Sequence, residues 1–482
     1  MWIDLVKAFD TLQREIMWRV LEIFGVPNHF MKVLKKLYKD VEAEMKVDGI
    51  QIKFPNNAGV KQGGKASPVI FAYVMQAAMM IAQTRMKPGL RFRAQMRAGG
   101  ISGKAAGTNW ENKGTGFELQ AMLFADDAGI FNETKADMKE NADILDEVFT
   151  SLGMEMHRGM LDPITKKEIP SKTVFTGHAP KGCEANIDKE RVMLKRGGWI
   201  DYTESFKYLG SYITGDTTDE KDITERIKQA SKAYGALSTH VYGSKNFSYR
   251  VKAQLYTTFV LSILLYGAEA WAVTEKDLDR LRTWHMARAR HMARIKWWMV
   301  RKKHITNTKV LKITGLKTMD TYLATRTLAW AGHVTRMKLS RLPRKMLTAW
   351  VQTPRPRGAP RMTWGRTLKK YLTRAGLPAE EKEWMKIAAD RERWKVSIQN
   401  ITIVSPRERK KTSSAETQKS QTQERNSVAT LQAMAPPANT GGDGGVGEGE
   451  ERKMEEAQAQ QPRRSARLAL NRSKTRESMV QA

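Results

Sequence analysis

Phe124-Ala125-Asp126-Asp127 separates two apolar runs, Leu119 to Phe124 and Ala128 to Phe131. Apolar run, short polar break and apolar run together predict a strand, a tight turn and a second strand. Two adjacent carboxylates then stand at the tip of a hairpin, where they repel each other and where folding has no need of them. A bound divalent cation would remove that cost. The plain alternative is a solvated Asp-Asp turn.

Three other stretches change the weight of this pair. The chain opens Met1-Trp2-Ile3-Asp4-Leu5-Val6-Lys7-Ala8-Phe9-Asp10. The apolar start predicts a short strand that delivers Asp4 at its end. A helix follows, with Asp10 and Gln13 placed as N-cap and N3 of a capping box. Next comes Gly59-Val60-Lys61-Gln62-Gly63-Gly64-Lys65-Ala66-Ser67-Pro68, a basic glycine-rich loop. Ser67 is expected as the N-cap of a helix, with Pro68 at its first position. After the Asp-Asp turn comes Phe206-Lys207-Tyr208-Leu209-Gly210.

In order and spacing these stretches resemble the palm of a reverse transcriptase of the non-LTR (LINE-type) retrotransposons. Asp4 with Ala8-Phe9-Asp10 looks like the first palm motif, Gly59 to Pro68 like the second and Phe124 to Asp127 like the third. Phe206 to Gly210 looks like the hairpin that grips the primer end. Leu265-Tyr266-Gly267-Ala268-Glu269, Gly332-His333-Val334-Thr335-Arg336-Met337 and Ala389-Asp390-Arg391-Glu392-Arg393-Trp394 look like downstream LINE segments. The resemblance covers residues 1 to 396. It implies an α+β fold: a polymerase palm, an antiparallel sheet with packed helices, followed by a helical thumb and C-terminal region. An intron-maturase-like enzyme fits less well, because the downstream segments look LINE-like.

The implied chemistry is RNA-directed DNA polymerisation. The expected partners are an RNA template, a DNA primer or target and dNTPs. Polymerisation of this kind uses two Mg²⁺, with Mn²⁺ as an alternative, to activate a primer 3′-hydroxyl and stabilise the leaving pyrophosphate. Hard cations take oxygen ligands. The resemblance assigns Asp4 and Asp126 as bridging ligands and Asp127 as the supporting one. Phe9 would lie beneath the incoming sugar and exclude a 2′-hydroxyl, although on its own it reads sooner as a core residue at a helix start. Gln62 and Gly63 would lie under template and nucleotide, where glycine permits close backbone approach. Lys61 and Lys65 are candidate phosphate contacts. Phe206, Tyr208, Leu209 and Gly210 form the expected primer grip.

The chain also departs from the family pattern. Fingers and an endonuclease would have to belong to a longer parent polypeptide, since Asp4 is the fourth residue. Without fingers, weak nucleotide binding is expected, and the alternative is an inactive relic that only binds nucleic acid. Gly64-Lys65-Ala66 replaces the family's more usual Pro-Leu. The lysine-bearing segment expected after Gly153 is stretched, and Lys172 is its best candidate.

Charge supports a polyanionic partner. Lys and Arg total 82 against 51 Asp and Glu, a formal net charge of +31. Between Arg280 and Arg374, 25 basic residues face one acidic residue, Asp320, a net +24. Such a block reads as an electrostatic footprint for nucleic acid, with strongly salt-dependent binding. Arg301, Lys302 and Lys303 are candidate contacts within it. Trp284, Trp297, Trp298, Trp330, Trp350 and Trp364 are interleaved. Most are expected in the core, because large apolar side chains are usually buried; others could stack on bases.

Cys183 is the single cysteine, which excludes a disulfide scaffold and a Cys-rich zinc knuckle. It fits an intracellular protein of nucleus or cytoplasm. No signal peptide is evident, and the most apolar run, Phe259 to Ala268, is too short to span a membrane. Gly99-Gly100-Ile101-Ser102-Gly103-Lys104 falls short of a P-loop and is rejected.

The expected organisation is a palm over 1–215, a helical thumb and extension over 216–338, a basic Pro/Arg-rich helical module over 339–402 and a disordered tail over 403–482. Within it, helices are predicted over 12–24, 68–85 and 135–152. A Gly-rich loop is predicted over 97–116, and Asp48-Gly49 is read as a hairpin turn. Ile223, Ile227, Ala230, Tyr234 and Leu237 share one apolar helical face. In the tail, Gly441-Gly442-Asp443-Gly444-Gly445 reads as disordered, and Arg463, Arg464 and Arg467 read as a solvated tail before a nuclear address or an RNA contact.

Overall fold

Along the opening strand, Met1, Ile3 and Leu5 alternate with Trp2 and Asp4. Successive side chains of a strand point to opposite faces, so one face should be apolar and the other should carry Trp2 and Asp4. The computed structural model has this arrangement. Met1, Ile3 and Leu5 are buried in a core with Ala128, Ile130, Phe175 and Ile200. The model describes residues 1–61, 63–94, 115–178, 187–351 (backbone alone at 350–351), 362–399 and 401–403. Gln62, Cys183, the side chain of Trp350, most of the 97–116 loop, the rejected P-loop-like stretch and the tail from 404 lie outside the described residues.

Trp2–Ile3 is a central strand of a six-stranded sheet. The order is Val192–Met193, Trp199–Tyr202, Val174–Phe175, Trp2–Ile3, Asp127–Ile130, Ala121–Phe124. All neighbours pair antiparallel except Val174–Phe175 with Trp199–Tyr202, which pair parallel. The helices Ser67–Gln83 and Lys135–Ser151 cover the apolar face with Ile70, Phe71, Val74, Met138, Leu145 and Phe149, all buried. The second helix starts cleanly because the Thr134 side chain caps the Asp137 N–H at 3.0 Å.

A second core is helical. The helices Glu220–Leu237, Glu275–Met292 and Met319–Thr335 share it with Trp364–Arg374, Glu381–Ala389 and Arg391–Gln399. Ile223, Ala230 and Tyr234 are buried in it, with Ile227 and Leu237 packed at its edge, as the helical spacing predicts. The fold is therefore α+β, with sheet-and-helix packing first and helix packing after it. The described residues all fall within one compact unit, Met1–Pro406. Among them, no helix is long and apolar enough to cross a membrane.

Several local expectations need correction. Asp10 is not a helix cap: it lies inside a short helix, Ala8–Thr11, which begins at Lys7 in the left-handed region. Gln13 is extended and precedes the next helix, Arg14–Ile23, without a side-chain cap. Ser67 is the first helical residue rather than the N-cap, a position held by Ala66. Its hydroxyl donates to the Lys61 carbonyl at 2.5 Å and so closes the loop. Most of the interleaved tryptophans described are not core residues: Trp297, Trp298 and Trp330 are 58%, 56% and 36% exposed and Trp364 is partly buried, while Trp284 is buried. The hairpin Glu42–Val47 with Ile50–Pro55 does turn on Asp48-Gly49, both at positive φ.

Candidate active site

The site lies where the central strands of the sheet end. Register pairs Trp2 with Gly129 and Ile3 with Ala128. The next step along both strands brings Asp4 beside Asp127, on the face opposite the core. The hairpin closes Phe124 against Asp127, so Ala125 and Asp126 form the turn and Asp127 already belongs to the returning strand. Ala125 carries the positive φ of 54° that so tight a turn needs. Register makes this arrangement brittle: a one-residue slip of either strand would send its carboxylate into the core.

Asp4 is fixed through its backbone. Its N–H donates to Thr173 Oγ1 at 3.2 Å, and its carbonyl accepts from the His157 N–H at 2.8 Å. Asp4, Asp126 and Asp127 are all half-buried. Burial raises the Asp127 carboxyl above its usual range, and the charges of Asp126 and Asp4 raise it further. Asp127 therefore feels the charge of both other carboxylates. Among the described residues, no three His, Cys, Asp or Glu side chains stand close enough to enclose an ion by themselves. The donor set still suits Mg²⁺, which usually takes one or two carboxylates and completes its shell with water and substrate oxygens.

Gly59 to Pro68 stands beside Phe9. The Gly59 N–H donates to the Leu12 carbonyl and the Val60 N–H to the Phe9 carbonyl, each at 2.8 Å. A Cβ on Gly59 would lie 2.6 Å from the Phe9 carbonyl oxygen, so only glycine fits. Arg14 braces the same loop by donating to the Gly59, Ala58 and Tyr38 carbonyls. Phe9, Gly63, Gly64, Ser67 and Pro68 line an open pocket of about 400 Å³. Phe9 thus faces the pocket and packs on the core at once, since its ring also stacks on Phe71 with centroids 4.6 Å apart. Lys61 and Lys65 are exposed beside this pocket and are not among its lining residues. A larger cavity of about 630 Å³, between Gln83, Phe117 and Lys345, holds none of the expected site residues.

The third component is the hairpin Ser205–Tyr208 with Ser211–Thr214. Its turn is Leu209-Gly210, both at positive φ. It docks on the carboxylate face through Trp2, whose ring stacks on Phe206 at 5.3 Å and meets Tyr208 at 5.1 Å. Trp2 fits there because position 129 has no side chain: a Cβ on Gly129 would fall 2.8 Å from the indole. Burial and the nearby Asp127 charge both raise the Tyr208 hydroxyl pKa, which places this hairpin beside the carboxylates. Its tip is held from the helical side. Tyr266 Oη donates to the Leu209 carbonyl at 3.0 Å, Arg226 donates to the Gly210 carbonyl, and the Arg226 guanidinium lies 4.3 Å over the Tyr266 ring.

The structure therefore brings together Asp4, Asp126, Asp127, Phe206 and Tyr208, with Phe9 and Gly63 at a pocket on the same segments. Arg301, Lys302 and Lys303 are exposed on the helical part. Lys172 is exposed next to Thr173, and its N–H bonds the His157 ring at 3.2 Å. Trp2, Thr173, Arg14 and Arg226 were missed by sequence reasoning. Only Trp2 carried a signal, as a large aromatic on the wrong side of an apolar strand.

Known proteins resemble this chain in sequence over the segments that build this site. Residues 1–213 match the family described as reverse transcriptase (RNA-dependent DNA polymerase). A transposon-derived protein of Caenorhabditis elegans is 23% identical over 298 residues, covering 60% of this chain and 99% of that protein. The retrovirus-related Pol polyprotein of a type-2 retrotransposable element of Drosophila melanogaster is 23% identical over 236 residues. That match covers 48% of this chain and spans 19% of the polyprotein.

Proposed function

We propose that this chain is the palm-and-thumb portion of an RNA-directed DNA polymerase of a LINE-type retrotransposon, acting inside the cell, in nucleus or cytoplasm. The observation that carries the reading is the meeting of Asp4, Asp126 and Asp127 at the strand ends, on the polar face of the sheet. Asp4, Asp126 and Asp127 would be the residues that hold two Mg²⁺. Bound ions would activate the primer 3′-hydroxyl and stabilise the leaving pyrophosphate. The residues of the chain supply position. Phe9 and Gly63 receive the sugar and base of a dNTP in their pocket, with Gln62 beside Gly63 in sequence. Lys61 and Lys65, exposed and close in sequence to Gly63 and Gly64, would contact phosphates. Phe206, Tyr208, Leu209 and Gly210 hold the primer end, and Trp2 ties that hairpin to the strand of Asp4. Lys172 is the candidate proton donor to the leaving group.

Primer extension on an RNA template with dNTPs and Mg²⁺ tests this. Wild type should extend and Asp126→Asn should not. Mn²⁺ should raise the melting temperature of the wild type and leave Asp126→Asn unmoved. Equal extension by both proteins, or identical Mn²⁺ shifts, would remove the assignment. The second reading is nucleic-acid binding without polymerisation. It is favoured by the exposed basic residues of the helical part, and it would stand if neither protein extends while both bind an RNA–DNA duplex with a steep salt dependence.

A further inference from the structure

The segment Arg294–His304 has a composition that the polymerase site does not use. It contains two adjacent tryptophans and five basic residues: Arg294, Lys296, Arg301, Lys302 and Lys303. Between Asp279 and Asp320 the sequence has no acidic residue. The short helix Trp297–Lys302 lies at its centre, between Arg294 and His304, both at positive φ. Ile295 and Ile305 pack against the helical core on either side of it. The Ile305 N–H also closes back on the Val300 carbonyl at 3.2 Å. The segment is therefore pinned at both ends while its middle faces outward.

Exposing one tryptophan is costly, and exposing two neighbours is harder to explain by packing, since such rings bury about 150–250 Å² each when they can. Trp297 is braced: the Arg290 and Arg301 guanidiniums lie 5.3 Å and 5.9 Å from its ring centroid. Trp298 has no ring or cation partner among the described residues, and it is more than half exposed. The five basic residues around the pair are all exposed and make no ion pair among the described residues. An exposed aromatic pair flanked in sequence by cations that lack carboxylate partners among the described residues suits one ligand chemistry: a base that stacks, joined to phosphates that are neutralised. A duplex offers the phosphates but keeps its bases stacked on one another.

We infer that Arg294–Lys303 is a binding site for single-stranded nucleic acid, with Trp298 as the stacking platform and Arg301, Lys302 and Lys303 as phosphate contacts. This inference does not rest on the polymerase reading. The test is fluorescence anisotropy of the full chain with labelled oligo(U), oligo(dT) and a blunt duplex, across a range of salt. Trp298→Ala should weaken single-strand binding about tenfold, because base–aromatic stacking is worth roughly 1–3 kcal/mol per base. It should leave duplex affinity and the salt slope unchanged, and Trp298→Phe should restore most of the loss. Lys302→Ala with Lys303→Ala should lower the single-strand salt slope by about 0.7 for each phosphate no longer neutralised. A larger loss on oligo(U) than on oligo(dT) would mark an RNA strand as the occupant, and the reverse a DNA strand. Single-strand binding by Trp298→Ala equal to wild type, or an equal loss on duplex, would overturn the inference whatever primer extension shows. So would retention of single-strand affinity alongside weakened binding to anionic vesicles or to a protein partner.

Discussion

At the residue scale, Asp127 works against the fold when ionised. Asp127 is raised by burial and by Asp126 and Asp4. A raised carboxyl favours the folded state while it is protonated, and that advantage is lost as pH rises through its folded value. Asp127→Asn should therefore melt at the wild-type temperature in acid and above it at neutral pH, while losing primer extension. Thermal melts at several pH values check the sign. Glu381 repeats the logic away from the site. Burial raises it from 4.5 to about 7, with Arg344 acting in the opposite sense, and its Oε1 has no hydrogen-bond partner among the described residues. Stability present below about pH 4.5 should fall as pH rises to about 7. Glu381→Gln should recover up to about 3 kcal/mol above that range and nothing below it. Urea titrations at both ends decide this.

At the element scale, the Phe206–Gly210 hairpin is held from both sides, by Trp2 on the sheet and by Tyr266 and Arg226 on the helical part. Tyr266→Phe removes one hydrogen bond, worth about 1 kcal/mol of stability or less at an exposed site. Because that bond fixes the tip expected to hold the primer, KM for primer–template should rise more than kcat falls. Steady-state kinetics would show the split, and an equal fall in kcat and kcat/KM would refute it. The hairpin, the Asp-Asp turn and the Asp48-Gly49 turn were legible in the sequence because each is local: two strands, two turn residues, one register. The capping box at Asp10 was misread for the same reason. The pattern matched, but the left-handed Lys7 and the extended Gln13 split the segment into two helices. Thr173 bracing Asp4, and Arg226 reaching Gly210, join positions far apart in the chain. No local pattern announces them.

At the scale of the whole molecule, the basic block divides in two. Arg280, Arg282, Arg326, Lys370 and Arg374 pair with carboxylates within the protein. Asp320, the one acid of the block, is 1% exposed and receives Arg282 and Arg374 together. These cations hold the helices Glu275–Met292, Met319–Thr335 and Trp364–Arg374 together, so fewer of the block's charges are free for phosphates than its sequence implies. Asp320→Asn should destabilise the fold by about 3 kcal/mol, the usual cost of stranding buried charge. Chemical denaturation measures it, and a change within error would show that Glu275 and Asp279 suffice as partners. The total charge was legible in composition; its division into internally paired and outward-facing residues needed the packing.

The absent side chain at Gly129 and the indole of Trp2 occupy one space. Two positions from different strands thus share a single volume, and neither is free to change alone. Any enlargement at 129 demands a smaller ring at 2, and a smaller ring at 2 leaves Phe206 and Tyr208 without their support. Substitutions there should be strongly non-additive, so an engineer who wishes to re-aim the primer end would have to trade both residues in one step.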